Sequence, residues 1–203
     1  MLTLPGLSVS RETLERLIIY KTLVEKWTQR INLVSRGTVE DIWQRHFVDS
    51  AQLFKRAPES GAHWADFGSG AGFPGLVIAL LSQDTGSPRK VTLVESDTRK
   101  ATFLRTVLRE TGVRADVLAQ RIEDVDPLDA DIVSARALAD LKSLLGYTAQ
   151  HLGESGTAIF PKGENWRKEL KEAQSKWHFD YEVDTSDTSP SSVILRVKGV
   201  RLV

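Results

Sequence analysis

An α/β fold is predicted, with a mostly parallel, seven-stranded sheet that ends in an antiparallel edge hairpin and follows an N-terminal helical extension. Three observations predict it. From residue 62 onward, short apolar runs alternate with stretches of helical period. A glycine cluster follows the first run, where a strand must turn sharply into a helix. The last two runs are separated only by a polar stretch, so they pair as antiparallel neighbours.

The elements follow in order. Residues 10–28 place Leu14, Leu17, Ile18, Val24 and Trp27 at helical spacing behind Ser10, a good N-cap. A second helix over 38–57 carries Val39, Ile42, Trp43, Phe47, Ala51 and Phe54 on one side. These helices assign residues 1–58 to the extension and 59–203 to the sheet-bearing domain, the two packed as one unit. Strands are expected at 63–67, 91–95, 115–119, 131–135 and 156–160, with helices near 75–83, 97–111, 138–151 and 164–176. Parallel neighbours need such crossover helices. The closing hairpin pairs His178–Val183 with Val193–Lys198 across Asp184–Ser192.

Composition excludes several classes. With 203 residues, 41% hydrophobic and 27% charged, the chain suits one soluble globular unit. It has no cysteine, which removes disulfides, thiolate metal sites and a cysteine nucleophile. The start, Met1-Leu2-Thr3-Leu4-Pro5-Gly6, lacks the basic-then-apolar pattern of a signal peptide. No apolar run approaches the ~20 residues of a membrane helix. A cytoplasmic protein, monomeric and without metal or membrane partner, is expected. Lys plus Arg equal Asp plus Glu at 27 each, so any polyanion binding must come from local clusters. Arg99, Lys100, Arg105 and Arg109 share one helix, and Lys162, Arg167 and Lys168 another stretch. Both fit a solvated face or a track for an RNA backbone.

The densest signal is Asp66-Phe67-Gly68-Ser69-Gly70-Ala71-Gly72-Phe73-Pro74-Gly75. Glycines at a strand's end let backbone lie against a ligand, and Pro74 suits a helix start. Two readings stand. Gly70, Gly72 and Gly75 match the G-x-G-x-x-G of a small NAD-binding oxidoreductase. Asp66, Gly68, Gly70 and Gly72 match the D-x-G-x-G-x-G of S-adenosylmethionine-dependent methyltransferases. Both ligands contain adenosine, and Glu95 after the second strand serves either by accepting ribose hydroxyls. The terminal hairpin, and the little chain left for a substrate domain, favour the Rossmann-like class I methyltransferase.

Further segments sharpen this. Arg30-Ile31-Asn32-Leu33-Val34-Ser35, Arg45-His46-Phe47-Val48-Asp49-Ser50 and the glycine loop are followed by Leu93-Val94-Glu95-Ser96, Lys100-Ala101-Thr102-Phe103-Leu104-Arg105, Arg121-Ile122-Glu123, Ser134-Ala135-Arg136-Ala137 and Pro161-Lys162-Gly163. This ordered set resembles the bacterial 16S ribosomal RNA guanine-N7 methyltransferase family, also called glucose-inhibited division protein B. The resemblance implies methyl transfer from S-adenosylmethionine to N7 of the guanine at position 527 of 16S ribosomal RNA, free or in the small subunit. It places the cofactor against Gly68, Gly70, Phe73, Glu95, Ile122, Glu123 and Arg136. Glu95 stands where relatives often carry Asp, and Ala135 separates Ser134 from Arg136 where many have them adjacent.

Chemistry agrees with so few conspicuous catalytic groups. Guanine N7 offers an in-plane lone pair and carries no proton to remove, so positioning supplies much of the acceleration, about 7–11 kcal/mol in favourable cases. The base must be unpaired or flipped out. Arg45, His46 and Lys162 are the candidate RNA contacts, and His46, Arg136 and Lys162 the candidate catalytic groups. Arg45 and Asp49, four apart, fit a surface ion pair equally. Lys162 reads as a phosphate contact or a solvated loop lysine, and His46 as substrate-side or as a satisfied histidine between the two parts of the chain.

Overall fold

In the computed structural model, which describes residues 2–59 and 61–203, seven strands form one sheet. They are β1 (His63–Phe67), β2 (Lys90–Val94), β3 (Asp116–Leu118), β4 (Ala130–Ala135), β5 (Leu152–Lys162), β6 (Trp177–Thr185) and β7 (Val193–Leu202). Their order is β3-β2-β1-β4-β5-β7-β6, parallel from β1 to β5, with β7 antiparallel to β5 and β6. Strand order reverses between β1 and β4. A crevice therefore opens at their carboxyl ends, where open α/β sheets bind ligands.

Helices α1 (Arg11–Thr28), α2 (Asp49–Arg56), α3 (Gly75–Thr85), α4 (Thr98–Thr111), α5 (Leu141–His151) and α6 (Trp166–Gln174) cover the sheet. Trp64, Leu93, Ile132 and Ile159 pack with residues of α1, α3 and α4, whereas Phe67, Val133, Ala135 and Phe160 pack with α5 and α6. Strand alternation puts Asp66, Ser134 and Arg136 on the α1 side. The single residue between Ser134 and Arg136 thus turns the arginine toward the N-terminal helices.

Helix α1 starts as expected, with the Ser10 hydroxyl accepting from the Thr13 N–H at 3.1 Å. Its inward residues are Thr13, Leu17, Tyr20 and Val24, while Ile18, expected inside, is exposed. The second N-terminal helix starts later than expected, near residue 42, and its first part is π-helical (Trp43–Val48) before it continues as α2; a separate 3-10 turn (Arg36–Thr38) precedes it. No Arg45–Asp49 ion pair forms, because Asp49 turns inward to Arg136 and Thr188.

Three other boundaries differ. Helix α5 begins at Leu141 rather than 138, since Ala137 takes φ +52° and the Asp140 carboxylate caps the Ser143 N–H at 2.9 Å. β5 begins at Leu152, directly after α5, with an irregularity opposite Ala130–Ile132. The hairpin strands run longer than their apolar runs because polar cross-strand pairs extend them, such as Arg196 with Asp184 at 2.8 Å.

Candidate functional site

The glycine turn is held from beneath by a buried polar row. The Trp64 indole N–H donates to the Ser134 hydroxyl at 2.8 Å, and that hydroxyl donates to Asp66 at 2.7 Å. The other Asp66 oxygen accepts the Gly75 N–H at 3.3 Å. Burial raises the Asp66 pKa to about 6. This row ties the ends of β1 and β4 to the start of α3, which begins at Gly75 with Pro74 in the cap position. Gly68, Gly70 and Gly72 all take left-handed φ values, 60°, 54° and 96°.

From above, α1 clamps the same turn. The Tyr20 hydroxyl, wholly buried, donates to the Ala71 carbonyl at 2.6 Å, and its ring stacks on Phe73 at 5.2 Å and 27°. Tyr20→Phe strands a buried carbonyl and is expected to cost about 1–3 kcal/mol. Calorimetric melting should fall by about 2–4 °C per kcal/mol for a chain of this size. An unchanged melting temperature would show that the clamp contributes nothing.

One recess, about 380 Å³, opens over the turn between Gly68, Gly70, Glu95, Ile122, Glu123 and Tyr147. Glu95 follows β2, and its two oxygens accept the Gly70 N–H at 2.7 Å and the Asp97 N–H at 2.8 Å. Each oxygen keeps a lone pair for a sugar hydroxyl. Ile122 supplies an apolar wall. The Glu123 carboxylate accepts from the Tyr147 hydroxyl at 3.0 Å and is held below the usual carboxylate range by its own backbone N–H, then by Tyr147. Glycine suits position 68, where φ is +60° and a Cβ would lie 2.5 Å from Leu138 Cδ1, the tip of an exposed side chain. An acceptor pair, an apolar wall and a floor free of side chains fit an adenosine group.

A second recess, about 330 Å³, lies beyond Ala137 and Ala139, which border both. Ala137 holds its left-handed conformation at a cost of about 1 kcal/mol or more. Arg136 donates to Asp49 and to the Arg45 carbonyl, each at 3.1 Å, bonds the His46 Nδ1 and lies 5.3 Å over the Phe73 ring. Lys162, 8% exposed, donates to Glu169 at 2.8 Å and to the Ala139 carbonyl at 3.1 Å. Each cation of the recess is thus matched by a carboxylate.

Arginine has no acceptor, so His46 Nδ1 must accept and the ring proton sits on Nε2, which reaches the Thr38 hydroxyl at 3.2 Å. Burial, then the charges of Arg136 and Arg45, lower the His46 pKa to about 3. The folded value lies below the unfolded one, so this stabilisation is full above about pH 6.5 and is lost as pH falls toward 3. Asp66, with a raised folded value, has the opposite slope between about 4 and 6, so a bulk stability profile blends the two. A site-resolved readout separates them. In ¹⁵N spectra the His46 ring should remain the Nε2–H tautomer from about pH 8 to about pH 5, and a midpoint near 6.5 would contradict its placement.

The fold brings Gly68, Gly70, Glu95, Ile122 and Glu123 around one recess and Arg136 and Lys162 around the other, with His46 bonded to Arg136. Arg136, expected against the cofactor, lines the second recess and not the first. Two further expectations change in detail. The Phe73 side chain is buried among Tyr20, Phe47 and His46, which leaves only its main chain for a ligand. Lys162 ends a strand and pairs with Glu169, so it is not a solvated loop lysine, and with two donors in use it lines the second recess. Arg45 is exposed and contributes its carbonyl. Sequence reasoning passed over Tyr20 and gave Ser134 no role beyond its segment. Tyr20 was marked only by its spacing of three and four from Leu17 and Val24, and nothing local tied Ser134 to Asp66 or Trp64.

Comparison with known proteins places this geometry. The GidB family model, described as rRNA small subunit methyltransferase G, matches residues 13–193. The chain is 52% identical over 197 residues to the ribosomal RNA small subunit methyltransferase G of Ruegeria pomeroyi, covering 97% of this chain and 96% of the relative. It is 45% identical to that of Paracoccus denitrificans, covering 96% and 99%. Among solved structures, M. jannaschii TYW2 in complex with AdoMet aligns with a TM-score of 0.60 at 17% identity, covering 87% and 80%. A ribosomal protein L11 methylase from Lactobacillus delbrueckii aligns with a TM-score of 0.61 at 18% identity, covering 76% and 78%. At those identities the structures speak for the fold alone. The oxidoreductase reading is not supported, since the dinucleotide fold orders its strands 3-2-1-4-5-6 whereas an antiparallel β7 lies between β5 and β6 here.

Proposed function

Because the chain belongs to the GidB family of rRNA small subunit methyltransferase G proteins and uses S-adenosylmethionine, we propose that it methylates N7 of guanine 527 in 16S ribosomal RNA. The observation that carries the choice of atom is the charge pairing in the second recess. Arg136 is matched by Asp49 and Lys162 by Glu169, and His46 is neutral and bound to Arg136. None of these is placed as a free base, which suits an acceptor that carries no proton. Attack through N7 leaves a positive charge on the purine, and a recess with balanced charges does not repel it.

When bound, S-adenosylmethionine supplies a methyl group already activated on a sulfonium. The chain's own residues do the rest. Gly68 and Gly70 would leave space for the donor, Glu95 would accept from its sugar hydroxyls, and Ile122 and Glu123 would flank its adenine. Arg136, fixed by Asp49, His46 and the Arg45 carbonyl, would form a wall against which the guanine is set, with the Ala137–Ala139 turn bordering both recesses. Such positioning is the main source of rate for a displacement without proton transfer. Among the described residues no helix is long and apolar enough to cross a membrane, and no cluster of three metal-binding side chains exists.

Incubation with methyl-labelled S-adenosylmethionine and small-subunit RNA or particles tests this. Label at N7 of that guanine is expected, and strand scission specific for 7-methylguanine locates it. Label on another atom or nucleotide, or none in any substrate state, overturns the proposal.

A further inference from the structure

We propose that the groove between the end of α1 and the start of α4 docks an unpaired ribonucleotide flanking the target base; this rests on the ribosomal RNA methyltransferase reading. Lys26, Trp27, Arg30 and Ile31 line one side of the groove and Arg99 and Thr102 the other, around a space of about 290 Å³. The floor is apolar. Trp27 is half-buried, edge-on to Phe103 at 5.5 Å and 61°, and Ile31 is half-buried beside it. The rim is cationic, with Lys26, Arg30 and Arg99 exposed.

The charges are unevenly satisfied. Asp97 holds Arg99 at 2.8 Å. Elsewhere on α1 two one-turn pairs are ionic, Arg11 with Glu15 and Lys21 with Glu25. Lys26 and Arg30 stand at the same spacing with like charge, and neither forms an ion pair among the described residues. Like charges so placed repel. The helix dipole favours Lys26 in the last turn, but Arg30 lies past the helix end. A polyanion relieves this repulsion.

Position selects the occupant. Lys100, between Arg99 and Thr102, lines the donor recess, so the groove and the recess flank one helix start. RNA whose target base meets the donor methyl can extend over this helix start into the groove. A second basic hollow, lined by Arg89, Lys90, Arg109 and Arg114, lies at the opposite ends of β2 and β3 and has no aromatic residue. An aromatic floor with a basic rim is the chemistry that holds single-stranded nucleic acid, by stacking and phosphate contacts.

The Lys26→Glu/Arg30→Glu double variant tests the groove, since both side chains are exposed and a melting curve confirms folding. Anisotropy of a fluorescein-labelled single-stranded oligoribonucleotide and methyl-transfer kinetics on small-subunit RNA are read together. RNA affinity and KM should weaken at least about tenfold, and the slope of log affinity against log salt should fall by about 0.7 per lost phosphate contact. S-adenosylhomocysteine affinity and kcat at saturating RNA should not change. Unchanged RNA affinity and KM overturn the proposal. A defect on assembled subunits but not on naked RNA overturns it in favour of a protein contact. Absence of methyl transfer by the unaltered protein instead sinks the functional reading beneath it.

Discussion

Gly68→Asp should abolish binding of S-adenosylhomocysteine while leaving the protein folded. The position has φ +60°, a region that Asp and Asn tolerate better than other side chains. The obstacle to a new Cβ is Leu138 Cδ1 at 2.5 Å, the tip of an exposed side chain that can rotate away. Folding should therefore cost about 1–2 kcal/mol. The new carboxylate would enter the donor recess beside Glu95, occupying ligand space and adding like charge. Titration calorimetry should show affinity reduced at least about 100-fold, equivalent to about 2.7 kcal/mol. Gly68→Asn separates bulk from charge. Should the Asp variant bind as the unaltered protein does, the recess over the turn is not the donor site.

Arg136 should dominate catalysis after the donor is bound. Its guanidinium meets Asp49, the Arg45 carbonyl and His46 at once, a fork that lysine cannot reproduce. Arg136→Lys keeps the charge and should keep donor affinity, yet kcat on RNA should fall about 100-fold through misplacement. Arg136→Ala should also lose about 2–4 kcal/mol of stability, because it leaves the Asp49 carboxylate half-buried and unpaired. The Asp49→Asn/Arg136→Gln pair should recover much of that stability but not activity. A Lys variant with full kcat would reduce Arg136 to a structural ion pair.

Much of the fold was legible because its determinants are local. The His63–Phe67 run, the glycines after it and Ser10 as cap of α1 each act within a few residues. Where local cues misled, a distant partner had intervened. Residues 38–57 have helical spacing, but the helix starts only near residue 42 and is π-wound over Trp43–Val48, where His46 meets Arg136. The β6–β7 hairpin was legible but its full length was not, because the polar residues that extend it pair only across strands.

The chain order of short-range cues was enough for the strand succession, the donor turn and Glu95. Those depend on side-chain size, backbone freedom and periodicity, which the residues carry with them. Folding in three dimensions decided which charges meet. Arg136 finds Asp49 and His46 across some 90 residues, Tyr20 reaches Ala71, and Lys162 is sequestered by Glu169. Such pairings follow from which strand lies beside which and which face each side chain takes. One-dimensional spacing holds no record of either.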